Sequence, residues 1–274
     1  MIKLQKTAIY LLLIVAAFVS IFPFIWMIVS TTNTSADITS GRILPGSHLA
    51  ENFRTMMQMA NFSNAFLNSL YVSVSGTVLS LLVASLAGFG FEVYKSKAKD
   101  VLFNVLLMSM MVPGASLMVP LFRMFAQASS TVPFAGINTL PAVVIPTIAT
   151  AFLIFFFRQS TKMFPMEILE AGRIDGLSEL GIFLKIYVPT MKTTYAAAAI
   201  ITFMANWNSF LWPLVVIQTS NNQTLPLLIS NLGSSYTPIY GVIMLAIVLA
   251  TIPVAVVFFV LQKHFVAGMM GSIK

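Results

Sequence analysis

The chain has 274 residues, of which 58% are hydrophobic and only 8% are charged, and its mean hydropathy is +0.91. A soluble domain cannot be built at this composition, because too few polar side chains remain to cover its surface. The chain is therefore an integral membrane protein, and its lack of cysteine excludes disulfides, thiolate metal sites and cysteine nucleophiles.

Six apolar stretches are long enough to cross a membrane as helices, since a span needs about 20 residues. The third and fourth each contain two prolines and are expected to kink. Two lysines precede the first stretch, as in a signal peptide, but the stretch is too long and no cleavage site follows, so we expect an uncleaved span. The sequence predicts an all-α membrane protein with six transmembrane helices at 9–29, 67–93, 101–125, 139–157, 193–217 and 240–261.

The basic residues predict the orientation of these spans. With the N-terminus in the cytoplasm, the outer segments hold only Arg42, Arg54 and Arg123, whereas the inner segments hold twelve basic residues. Cytoplasmic loops of membrane proteins are enriched in lysine and arginine. The net charge of +7 therefore predicts that both termini are cytoplasmic and gives no support for nucleic-acid binding. The twelve residues are Lys3, Lys6, Lys95, Lys97, Lys99, Arg158, Lys162, Arg173, Lys185, Lys192, Lys263 and Lys274.

Residues 170–189, between the fourth and fifth predicted spans, carry five charged side chains. Asp175-Gly176 predicts a turn that ends one short helix. Ser178 and Glu179 are typical of the start of a second helix, as its cap and first-turn acid.

The second helix of this segment has an apolar stripe. Its residues recur at helical spacing and are Leu180, Phe183, Leu184 and Tyr187, with Pro189 beyond them. Two interpretations remain open on physical grounds: an amphipathic helix that lies on lipid headgroups, or a docking surface for a partner protein.

The spans lack the ionisable groups that ion-coupled carriers use. All eight acidic residues lie in loops or at span ends, namely Asp37, Glu51, Glu92, Asp100, Glu167, Glu170, Asp175 and Glu179. This distribution disfavours a self-contained secondary transporter and, without paired carboxylates, an intramembrane enzyme. His48 and His264 lie on opposite sides of the predicted membrane, so no metal site is expected.

Three polar residues in the fifth span, Asn206, Asn208 and Ser209, have two interpretations. They form hydrogen bonds between helices, or they line a translocation path and contact a polar solute.

Several motifs carry a resemblance to a known family. Glu170-Ala171-Gly172, Asp175-Gly176 and Pro189 resemble the EAA motif of type I ABC importer permeases. Other segments resemble the carbohydrate-uptake permeases of the maltose-permease G-subunit type. They are Asn68-Ser69-Leu70, Ala87-Gly88-Phe89-Gly90, Met111-Val112-Pro113-Gly114, Val119-Pro120-Leu121, 207–214 and 262–274. The sequence departs from the family pattern at Gly172 and Leu177, where alanine is common, and at Leu180, where an aromatic residue is common.

The resemblance implies a permease subunit of an ATP-binding-cassette importer that forms half of the path for a sugar, in particular an oligosaccharide. It implies a first helix with an outer loop over 1–66, a permease domain over 67–262 and a cytoplasmic tail over 263–274. The residues that would couple it to a cytoplasmic ATPase are Glu170, Ala171, Gly172, Asp175, Gly176, Phe183, Leu184 and Pro189. Glycerol-phosphate and polyamine remain alternative substrates, although a phosphate ester would require basic residues along the path.

The same resemblance implies the partners and the location. They are a second, paralogous permease subunit, two copies of the ATPase, an extracytoplasmic solute-binding protein and the lipid of the bacterial inner membrane. The chain has no phosphate-binding loop, so we expect ATP to be bound and hydrolysed by the partner and no cofactor in this chain. The uncharged outer segment 218–239 is expected to meet the binding protein.

Overall fold

The computed structural model describes residues 2–59 and 61–271, and the regular elements of this part of the chain are all helical. The α-helices are α1 Ile2–Ser30, α2 Ser35–Thr39, α3 Leu49–Met59, α4 Phe62–Val93, α5 Lys97–Ser109, α6 Met118–Thr131, α7 Leu140–Val144, α8 Ala151–Thr161, α9 Met166–Ile174, α10 Glu179–Ile182, α11 Val188–Thr190, α12 Lys192–Trp207, α13 Leu211–Val216, α14 Leu225–Gly233 and α15 Tyr240–Gly271. Short 3₁₀ turns occupy Gly114–Leu117, Pro133–Ala135, Ile145–Thr147 and Ser220–Asn222, and a π-helical turn occupies Phe183–Tyr187.

Four helical segments are long and apolar enough to cross a membrane: Ile9–Ser30, Phe62–Val93, Lys192–Val216 and Tyr240–Lys263. Two further spans are bent pairs, Lys97–Ser109 with Gly114–Thr131 at 96° and Leu140–Thr147 with Ala151–Thr161 at 42°. By length and composition, the described residues therefore hold four candidate spans, or up to six if each bent pair is one span.

The predicted third span is therefore not a continuous helix. α5 ends at Ser109, and Pro113 follows immediately before the 3₁₀ turn that leads into α6. Proline disfavours the helical conformation of the residue before it and supplies no backbone N–H of its own. The helical ladder breaks there, and the chain changes direction.

The chain divides into two compact units. The first comprises Met1–Ser63 with Leu228–Ile252, and the second comprises Asn64–Leu227 with Pro253–Lys274. The division of the sequence at 66/67 and 262/263 stays a prediction, and Lys274 at the end of the predicted tail lies outside the described residues.

In the second unit α4 presents small residues to its neighbours. A Cβ added at Gly88 would lie 2.6 Å from Phe157 Cβ and 2.8 Å from the backbone nitrogen of Arg158, so α4 and α8 approach backbone to backbone. Only glycine allows this distance. The close approach brings the cytoplasmic-side end of α8, on the predicted topology, beside the end of α4.

Candidate functional site

The polar segment, residues 166–190, folds into α9, a turn, α10, the π-helical turn and α11. Gly176 adopts φ +80 in the turn, and a Cβ there would meet nothing within 4 Å. Glycine is therefore required for its backbone conformation and not for space. The Leu177 N–H donates to Gly172 O at 3.0 Å. This is the hydrogen bond of the Schellman motif, which ends a helix when the next residue, here Gly176, is left-handed. The predicted turn at Asp175-Gly176 is confirmed.

Charged side chains hold the two short helices together. Ser178 Oγ caps α10 by accepting from the Gly181 N–H at 3.2 Å, as predicted. Arg173 donates to both carboxylate oxygens of Glu179, at 2.8 and 3.3 Å, and the Tyr94 hydroxyl donates to the same carboxylate. The Arg173 guanidinium and then the Tyr94 hydroxyl lower the pKa of Glu179. Sequence reasoning missed this arrangement, because Tyr94 lies on a distant turn.

The buried face of the polar segment packs on α4. The ring of Phe89 lies 5.4 Å from that of Phe183 and 4.9 Å from that of Tyr187, in edge-to-face geometry. The Tyr187 hydroxyl shares a 2.6 Å hydrogen bond with Thr161 Oγ1, and burial raises the pKa of Tyr187 to about 12. Leu169 and Ile182 complete this core.

The predicted apolar stripe divides in the structure: Leu180 is 62% exposed and Leu184 is 52% exposed, whereas Phe183 and Tyr187 are buried within the chain. The reason is Gly172, whose missing side chain lets Ile182 and Ile186 approach α9, so the helix turns that side inward. A role of the stripe in docking stays a prediction.

The coupling residues that the sequence predicts divide into two groups. Gly172 and Phe183 are buried inside the chain and cannot touch a partner directly, while the other six are exposed. Ile174, which the sequence reasoning missed, is 86% exposed beside the turn. The outer surface of the polar segment thus combines exposed apolar side chains with carboxylates. The six exposed residues are Glu170, Ala171, Asp175, Gly176, Leu184 and Pro189.

An ion network lies behind the polar segment. Glu92, buried at the end of α4, pairs with Lys95 at 2.7 Å and with Arg158 of α8 at 3.3 Å. Arg158 also reaches Asp100 at 2.7 Å, and its guanidinium lies 4.0 Å from the Phe103 ring centroid. A small cavity of about 190 Å³ is lined by residues of both regions, including Glu92, Lys95, Glu170 and Arg173.

The structure separates the three polar residues of the fifth span. Asn208 and Ser209 occupy the break between α12 and α13 and line a cavity of about 530 Å³ with Thr147, Phe210 and Trp212. Asn206 does not line this cavity. It is buried against Gly76, and its Nδ2 has no hydrogen-bond partner among the described residues. The assignment of these three residues to a translocation path stays a prediction.

The outer segment 218–239 is more ordered than an uncharged loop suggests. Asn138, with φ 62, accepts three hydrogen bonds of 3.0 Å on its Oδ1, from the Gln218 N–H and from the backbone and hydroxyl of Thr219. Asn68 Nδ2 donates to Asn221 O and Gln223 O.

The part of the segment that follows is helical, as α14, with Leu225 completely buried. Tyr236, beyond α14, is fully exposed. Residues 218–221, before α14, are exposed as well.

Residues 76–271 match the sequence profile of the binding-protein-dependent transport system inner membrane component family. The lactose transport system permease protein LacG of Rhizobium radiobacter is 47% identical over 265 residues, which cover 97% of this chain and 95% of that protein. The arabinooligosaccharides transport system permease protein AraQ of Halalkalibacterium halodurans is 33% identical over 264 residues, covering 94% and 92%. The sn-glycerol-3-phosphate transport system permease protein UgpE of Salmonella typhimurium is 30% identical over 274 residues, covering 96% and 95%.

The fold has a solved counterpart. A chain in the crystal structure of a bacterial ABC transporter involved in the import of the acidic polysaccharide alginate superposes with a TM-score of 0.84. The superposition covers 96% of this chain and 97% of that chain at 20% sequence identity, which shows a shared fold.

Proposed function

Because the chain belongs to the binding-protein-dependent transport system inner membrane components, the permeases of ABC importers, we propose that it forms half of the transmembrane path for an oligosaccharide. We further propose that it couples this path to a separate cytoplasmic ATPase through the polar segment. The observation that carries the coupling proposal is the exposed surface around the Gly176 turn, which is rigidly held from behind.

The exposed surface of the polar segment suits a groove in a partner protein. Ile174, Leu180 and Leu184 present apolar area to the outside, and such area normally marks a binding surface. Glu170 and Asp175 add two exposed carboxylates beside it. Phe183 and Gly172 act behind this surface, where they fix the position of α10 against α4 and α9.

Co-purification of the ATPase with permease variants tests this role. Glu170→Lys leaves a cation of the ATPase groove without its partner, and losing one member of a buried ion pair costs about 3–5 kcal/mol. That cost corresponds to several hundred-fold or more in affinity. Leu184→Ala should weaken docking less, and Lys185→Ala, outside the predicted contact set, should retain the ATPase and serves as the control. Full retention with Glu170→Lys and Gly176→Pro combined would contradict the proposal.

An oligosaccharide fits the cavity beside Asn208 better than a phosphate ester does. No described residue lining that cavity carries a charge, whereas a phosphate requires cationic partners. Asn208 and Ser209 offer polar atoms, and Phe210 and Trp212 offer apolar rings. Two relatives are named for lactose and arabinooligosaccharide transport, and one for sn-glycerol-3-phosphate.

Uptake of labelled lactose, an arabinooligosaccharide and sn-glycerol-3-phosphate by the reconstituted importer distinguishes these substrates. We expect sugar uptake and a loss of about tenfold in Asn208→Ala, if that side chain contributes roughly 1.4 kcal/mol. Asn206→Ala should impair assembly of the importer more than it impairs sugar uptake. Uptake of the phosphate ester alone would contradict the sugar proposal.

The remaining assembly follows the family. We propose a paralogous second permease, two ATPase copies and an extracytoplasmic solute-binding protein that meets the surface near Tyr236. Both termini are proposed to be cytoplasmic in the bacterial inner membrane, and the chain itself is proposed to be neither an enzyme nor a cofactor protein. A cysteine introduced at Lys97 should resist an impermeant maleimide in intact cells, whereas one at Tyr236 should react. Labelling at position 97 would contradict the proposed topology and place this loop outside the cell membrane.

A further inference from the structure

Helix α3 is fixed to the end of the first candidate span. Asn52 Nδ2 donates to Thr31 O at 2.8 Å and to Asn33 O at 3.1 Å, and the His48 N–H donates to Thr32 O at 2.9 Å. These acceptors directly follow Ser30, where the candidate span Ile9–Ser30 ends. Its 22 residues are about 33 Å long as a helix, close to the thickness of the hydrocarbon core. The start of α3 therefore lies at a boundary between membrane and water.

The other end of α3 is close in sequence to the next candidate span. Met56, one turn after Asn52 on the same face, is completely buried. The chain then enters the next candidate span at Phe62, soon after α3 ends at Met59. The start of α3 is thus hydrogen-bonded to the residues after one candidate span, and its end lies within a few residues of the next along the sequence.

A stripe of apolar side chains on α3 is left about half exposed by the described part of the chain. Leu49, Phe53 and Met57 follow one another at four-residue spacing and are 46%, 49% and 46% exposed. They line a shallow groove together with Arg54, while Glu51, the acidic residue of α3, is directed elsewhere and is 74% exposed at its side chain. A helix with an apolar face bordered by a cation is typical of a peripheral membrane helix.

We propose that α3 is an interfacial helix whose stripe Leu49-Phe53-Met57 inserts at the headgroup level and whose Arg54 binds the phosphate of an anionic phospholipid. The position of α3 at the membrane boundary favours lipid as the occupant, and the cation in the groove favours a phosphate over a neutral or cationic group. The proposal does not depend on the transported solute or on the ATPase.

The cysteine-free chain permits a direct test by site-specific labelling. Phe53→Cys and Glu51→Cys, each labelled with bimane, are compared in the assembled importer in nanodiscs that contain brominated phosphatidylglycerol. We expect bromine quenching to be at least about twofold stronger at position 53 than at 51, since only the stripe reaches the acyl boundary. Aqueous iodide should show the opposite order.

Two outcomes would overturn the proposal. A label at position 53 shielded from both quenchers would mean that a partner subunit covers α3, and one open to iodide alone would mean a solvated helix. The phosphate part is tested with Arg54→Gln in brominated phosphatidylglycerol against brominated phosphatidylcholine. Arg54 should favour the anionic lipid, and Arg54→Gln should abolish that preference, whereas equal quenching by both lipids in the unmodified chain would refute selective binding of an anionic phospholipid.

Discussion

Arg158 Nε donates to Glu92 Oε2 at 3.3 Å and thereby joins α8 to α4 through a pair of ionic side chains that are only 10% and 3% exposed. Arg158 also contacts Asp100 and the Phe103 ring, both on α5, so its guanidinium has partners on two neighbouring helices, α4 and α5. The pair lies directly behind the polar segment, next to the cavity that Glu170 lines. We therefore expect it to fix the base on which the polar segment rests.

Glu92→Ala should destabilise the chain strongly, because it leaves Arg158 buried with a single carboxylate partner. Breaking a buried ion pair costs about 3–5 kcal/mol. The control is Lys95→Ala, which removes the 63% exposed partner of the same carboxylate and should cost less than about 1 kcal/mol. Thermal unfolding of the purified complex measures both. Equal midpoints for the two variants would show that the network does not stabilise this region.

Gly176→Ala should loosen the turn of the polar segment through its backbone alone. A Cβ at φ +80 meets no atom within 4 Å, so the expected cost is the left-handed conformation itself, about 1–2 kcal/mol. Gly90→Ala is the matched control, because its Cβ also meets nothing but its backbone is helical, where alanine is favoured. Hydrogen exchange of amides 174–182 should accelerate only in the first variant. Protection that stays unchanged there would argue against a strained turn.

Gly172→Ala and Ile186→Val should be energetically coupled. The alanine Cβ would lie 2.6 Å from Ile186 Cδ1, the atom that valine lacks. Alanine stabilises the helix by up to about 1 kcal/mol relative to glycine. In the single variant this stabilisation is offset by the cost of moving the Ile186 side chain away from the new Cβ. A double-mutant cycle on unfolding midpoints should therefore show a favourable coupling of roughly 1 kcal/mol. Strict additivity of the two effects on stability would mean that the Ile186 side chain moves away from the added Cβ without a cost in free energy.

Acidification should release the tie between α9 and α10. Since Arg173 lowers the pKa of Glu179 below its ordinary value of 4.5, the stabilisation by this pair is fully present above pH 4.5 and is lost as the pH falls through the lower folded value. The anisotropy of a probe on Lys185→Cys should fall in that acidic range. In Glu179→Gln the anisotropy should already be low at neutral pH and should no longer change on acidification. An unchanged titration in Glu179→Gln would assign the transition to another group.

Asn138 should be replaceable by aspartate but not by alanine. Its Oδ1 accepts three hydrogen bonds from Gln218 and Thr219, and its φ of 62 favours asparagine or aspartate. Asn138→Ala removes the Oδ1 acceptor and its three hydrogen bonds, at about 0.5–1.5 kcal/mol each, whereas Asn138→Asp keeps an oxygen there. Hydrogen exchange at amides 218 and 219 should increase much more in the alanine variant. Similar exchange in the alanine and aspartate variants would mean that the Asn138 side chain does not order residues 218–219.

The sequence by itself determined the features that depend on local chemistry. Composition alone requires a membrane protein, because so few polar side chains cannot cover a soluble surface. The turn at Gly176 and the cap at Ser178 were predictable from neighbouring residues, since a left-handed glycine and a serine N-cap act within one helical turn.

The tertiary structure decided which side of each helix is covered and which distant residues meet. The spacing of Leu180 and Leu184 was compatible with burial, but the side of α10 that turns inward is set by the space at Gly172. The partner of Arg158 lies 66 residues away in the sequence, and no local pattern marks Glu92 as that partner. This pairing depends on the packing of α4 against α8, which brings together residues that are far apart in the sequence and that no local sequence pattern connects.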